Sequence, residues 1–111
     1  MSLGTANLTY GAVAETEDSP EEQATWLRKA LESIEEAVER FRSAGVTRYL
    51  ILALYYAVHS HLELAQHTDE LDHARVLVLC REGEALCEKM EDRQRLAFFR
   101  QVRQQLEGGG D

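Results

Sequence analysis

Apolar residues fall at Leu27, Leu31, Ile34, Val38 and Phe41, in steps of four, three, four and three, which is the stripe down one face of an α-helix. Trp26, Ala30 and Ala37 widen that stripe. Its start is predicted at Ser19-Pro20-Glu21-Glu22: the serine hydroxyl can accept an orphan amide, proline loses nothing at the first helical position, and Glu22 can complete a capping box. Its end is predicted at Ala44-Gly45, where glycine takes a left-handed cap without strain.

The next segment, RYLILALYYAVHSHLELAQH, follows Thr47 as a candidate cap and is apolar nearly all round for three turns, which predicts a central helix covered on more than one side. Thr68 or Asp69 is expected to open a third helix, with Leu71, Ala74, Leu77 or Val78, Leu86 and Met90 facing inward. Gly83 lies inside it, where glycine costs about 1 kcal/mol against alanine, so close packing on another helix is the expected reason for it. Asp92 is a cap for a fourth helix whose stripe is Leu96, Phe99, Val102 and Leu106, ending at Gly108-Gly109-Gly110. The fold class is therefore all-α: four helices joined by very short turns and packed as antiparallel neighbours. The expected organisation is an N-terminal arm over 1–18, a helical domain over 19–107 and a tail over 108–111.

Composition narrows the function. A chain of 111 residues has room for one domain, and its single proline and edge-placed glycines leave no punctuation for many strands. A formal charge of −8 argues against nucleic acid, because affinity for phosphates comes from cations that Lys and Arg displace. The charge is uneven, acidic from Glu15 to Glu39 and arginine-rich in the last helix. Cys80 and Cys87 stand about 10 Å apart along a helix axis, beyond disulfide reach, and are expected to be core thiols. The first residues lack a basic-then-apolar order, and the apolar run 49–58 is too short to span a bilayer, so a cytoplasmic, membrane-free protein is expected.

The chain also echoes itself. AVERFRSAGVTRYLILA (37–53) and ALCEKMEDRQRLAFF (85–99) each carry an alanine-led turn of helix, a short charged break and an arginine-containing start to an apolar helix, at an offset of 46 to 48. With this pattern the chain resembles tetratricopeptide repeat proteins of the longer-period kind, with 53–66 and 69–86 as one whole repeat. The resemblance departs from the family in having His59 near the place of a usual glycine and no Gly-Asp in the intrahairpin turn. It implies stacked hairpins that bind without catalysis, the face of the first helices taking a peptide or partner helix. Carried over residue by residue, that face offers Tyr55, His59 and Glu63. A four-helix up-down bundle sharing only helical periodicity is the alternative fold.

Two sets of residues could carry chemistry. His59, Glu63 and His67 share a helix face, and Glu70 with His73 has a Glu-x-x-His spacing, so a metal-binding bundle is the alternative function. A carboxylate-bridged di-iron site needs a second Glu-x-x-His as well as two glutamates from facing helices, and no second Glu-x-x-His occurs. The cysteines are flanked by Glu82, Glu84 and Glu88, which disfavours a thiolate, and no Gly-rich phosphate loop or G-x-S-x-G occurs. A non-enzymatic interaction module without a cofactor is the main expectation. Phe98 and Phe99 point about 100° apart on one helix, so burying both calls for two neighbours. Phe98 is accordingly a candidate contact for a homodimer or another protein.

Overall fold

The computed structural model describes residues 20–108, and the 1–18 arm expected from the sequence lies outside them. Four helices follow one another: α1 (Pro20–Ala44), α2 (Thr47–Thr68), α3 (His73–Met90) and α4 (Arg93–Gly108), with no strand among the described residues. Extensive packing is confined to successive helices, α1 on α2, α2 on α3 and α3 on α4. The all-α hairpin arrangement read from the sequence is the one observed. No described helix is long and apolar enough to cross a membrane.

The two hairpins turn in the same way. At the first, Gly45 takes a left-handed φ of 71°, the Val46 N–H donates to the Phe41 carbonyl at 3.1 Å, and the Leu50 N–H donates to the Val46 carbonyl at 2.9 Å. At the second, Glu91 has φ 58°, the Asp92 N–H donates to the Cys87 carbonyl at 2.9 Å, and the Leu96 N–H donates to the Asp92 carbonyl at 3.0 Å. Each partner is shifted by 46, from 41 to 87, 46 to 92 and 50 to 96.

Caps explain where the sequence reading slips. Asp92 caps α4 as expected, its carboxylate accepting the Arg95 N–H at 3.2 Å. Thr47 does not cap α2; the chain leaves Gly45 so tightly that Val46 already accepts the first helical bond, and Thr47 lies inside the helix. Thr68 and Asp69 do not open α3. Thr68 bonds back to the Leu64 carbonyl at 3.0 Å as the last residue of α2, and Asp69 closes that helix in the left-handed region, which aspartate tolerates. Asp72 caps α3 instead, through the Arg75 N–H at 3.1 Å.

The core runs along α2, where Leu50, Ile51, Ala53, Leu54, Ala57, Val58 and His61 are buried. Val38 from α1 and Phe99 and Val102 from α4 join it. On α3 the fully buried face is Val76, Leu79, Cys80, Gly83, Glu84 and Cys87, and of the stripe expected Leu71, Leu86 and Met90 pack against that core at its margins. Ala74 and Val78 are exposed, and Leu71, Leu77, Leu86 and Met90 are half-buried. A helix held between two neighbours turns its small residues into the closest approach, so Cys80, Gly83 and Cys87 set the face and the leucines sit at its margins. Trp26, placed on the inward stripe of α1 by its spacing, is exposed.

Candidate aromatic interaction face

Antiparallel succession makes α2 and α4 run in the same direction, and aromatic rings fill the seam between them. Tyr55 and His59 stand one turn apart on α2 with ring centroids 4.5 Å apart. Phe98 comes in from α4 and stacks on His59 at 4.5 Å with 15° between the planes, and it meets Tyr55 edge-on at 4.8 Å. Phe99 lies beneath as the fully buried floor, 6.4 Å from Tyr55. The Arg95 guanidinium covers Tyr55 at 5.6 Å, a distance at which the ring quadrupole attracts a cation.

Tyr55 and Phe98 are half-buried, and His59 and Tyr56 are exposed. The result is a ledge of rings that a partner can touch while the helices beneath hold the rings in place. Partial burial lowers the His59 pKa below its usual value, more than the nearby Glu63 carboxylate raises it, which favours the uncharged ring that stacks on Phe98. No family model, curated protein or solved structure matches the chain.

Of the four residues expected to bind a partner, Tyr55, His59 and Phe98 converge, whereas Glu63 is an exposed side chain one turn farther along α2. Phe98 is not left bare by its angle from Phe99, because α2 supplies its second neighbour. Tyr56, 40% exposed and 5.7 Å from the Tyr55 ring, and Arg95 belong to the same face and were not singled out from the sequence. Tyr56 follows Tyr55 in the apolar run and was readable as an outward residue; the Arg95 contact has no signal in the spacing.

The metal set does not assemble. Among the described residues no three His, Cys, Asp or Glu side chains gather where they could hold a metal ion. His59 is committed to Phe98, and His67 is exposed near the end of α2. The left-handed turn at Asp69 puts Glu70 in the loop and His73 at the first position of α3, so their Glu-x-x-His spacing never lies on one helix. His61 points the other way, into the core.

That opposite side is ionic. Glu35 of α1 accepts from His61 Nε2 and from Arg75 Nε, each at 3.1 Å, and its other oxygen meets the second Arg75 nitrogen. Arg42 of α1 reaches Glu82 of α3 with Nε at 3.0 Å. The seam from α1 to α3 is thus salt-bridged, and the seam from α2 to α4 is aromatic. Both thiols are buried, and burial first, then a nearby carboxylate, pushes Cys80 up to about 12 and Cys87 up to about 11. Neither is a nucleophile at neutral pH.

Proposed function

We propose that the chain is a non-catalytic protein–protein interaction module, an adaptor, co-chaperone or regulatory-complex subunit of the cytoplasm, that takes a partner peptide or helix on its α2/α4 face. The observation that carries this reading is the half-exposed ledge of Tyr55, His59 and Phe98 with Tyr56 beside it. Rings anchored on helices offer large contact area at little cost in conformational freedom, which is why aromatic residues concentrate in interface centres. The repeated hairpin turn supports the likeness to tetratricopeptide proteins, in which this face would be the binding one. Two protonated, buried thiols suit a reducing compartment. Among the described residues Arg95 is the one cation over the rings of this face, so the face suits apolar side chains of another protein better than phosphates.

Photo-crosslinking tests it. With p-benzoylphenylalanine at Tyr56, the full chain in its native cytoplasm should form one discrete adduct, and the same group at Glu36 on the opposite layer should not. The adduct should disappear when His59→Glu is added to a chain that still melts as the wild type does. Adduct mass separates a second copy from a different protein. Equal labelling from both positions, or none from Tyr56, would refute the reading.

A further inference from the structure

The shift of 46 found at the two turns pairs residues 27–44 of α1 with 73–90 of α3 and residues 47–62 of α2 with 93–108 of α4, and the pairs change together. Ala37 and Ala53 correspond to Gly83 and Phe99, where glycine makes the room that the phenylalanine ring fills. Val38 and Ala57, both fully buried, correspond to Glu84 and Arg103, whose side chains meet at 2.5 Å. One apolar pair is thus replaced by one ion pair.

The correspondence has a sharp exception along one stripe. On α2, Ile51, Leu54 and Val58 are 2%, 0% and 0% exposed, because α2 has a helix on either side. Their counterparts on α4 are Ala97, Arg100 and Gln104, all exposed. The same happens at the other end: Leu79 and Leu86 of α3 are buried and half-buried, and their counterparts on α1, Ser33 and Arg40, are exposed. Where an inner helix carries large aliphatic side chains, the outer helix carries small or polar ones. Terminal units of a stack need such a surface, since an apolar one would take up another copy.

We infer that the outer faces of the two-hairpin stack are closed to further copies, at α4 by Ala97, Arg100 and Gln104 and at α1 by Ser33 and Arg40, so that copies do not add end to end. A partner is left the α2/α4 face rather than the ends.

Light scattering of the full chain across the micromolar range tests this, with the triple variant Ala97→Ile, Arg100→Leu, Gln104→Val, which gives α4 the stripe of α2. The variant should at least about double its apparent mass relative to the wild type at the same concentration, since an end-to-end contact is open to a second copy. A variant of unchanged mass would overturn the inference. So would a wild type that is associated and falls to a single chain on Arg100→Glu. Should the triple variant fail to fold, the double variant Ala97→Ile, Gln104→Val, which keeps Arg100 at 3.8 Å from Glu84 beside Arg103, should bind an apolar-patch dye more strongly than the wild type. Equal dye binding would likewise overturn it.

Discussion

Gly83 of α3 lies against the ring of Phe99 of α4 so closely that a Cβ on it would stand 2.6 Å from two ring carbons. The ring is fully buried and has nowhere to go. Alanine would gain about 1 kcal/mol in helix propensity at this position. Overpacking a core of this kind costs about 1–3 kcal/mol, so the clash wins. Gly83→Ala is expected to lower Tm by about 5 °C or more. Adding Phe99→Leu should recover part of that loss in a double-mutant cycle, and additive effects would mean that the two residues do not share the strain.

Leu54 and Glu63 are nine positions apart on α2 and should respond oppositely. Leu54 is 0% exposed, and Leu54→Asp places a carboxylate there with no partner, a cost comparable with the whole stability of a domain this size. Circular dichroism should show Leu54→Asp unfolded. Glu63→Ala removes an exposed side chain and should change stability by no more than about 0.5 kcal/mol.

Glu35 makes the fold sensitive to acid. Burial alone would raise its pKa, but hydrogen bonds from Arg75 and His61 outweigh that, and the carboxyl is held below its ordinary 4.5. A carboxyl lowered on folding contributes stability that is complete above the unfolded pKa and is lost as pH falls through the folded one. The Tm difference between the wild type and Glu35→Gln should therefore be full at pH 7 and shrink below about pH 4.5. A difference that stays constant down to pH 3 would show that Glu35 acts by shape and not by charge.

Cys80 and Cys87 should be silent in the native protein. Both are 0% exposed, with thiols pushed up to about 12 and about 11. Iodoacetamide at pH 8 is expected to label neither until the chain unfolds, and labelling should then track global unfolding measured by circular dichroism. Rapid labelling of Cys87 alone would indicate that α3 frays from its C-terminal end.

The stripe of α1, its stop at Gly45 and the cap at Asp92 were legible in the sequence because a single residue type at a single place meets each requirement. The start of α3 was not. Thr68, Asp69 and Asp72 all have capping side chains within five positions, and only the left-handed turn at Asp69 decides among them. The inward face of α3 was hidden because Cys80, Gly83 and Cys87 carry little apolar signal and matter through their size. Tyr55, His59 and Phe98 were legible as outward residues, yet their convergence depends on two helices that are not adjacent in sequence. The His and Glu set looked like one site only with Glu70 and His73 together on a helix opening at Thr68 or Asp69, and the chain places Glu70 in the loop before that helix.

Packing that follows chain order also governs how the molecule forms. Because extensive contacts join only successive helices, no distant ends must meet before structure is rewarded, and loop closure adds little to the barrier. Either hairpin can nucleate first, each around its own left-handed turn. Folding on the scale of microseconds to milliseconds is the expectation for such local topology. The outer helices, each held along one flank, should exchange their amide hydrogens before α2 does.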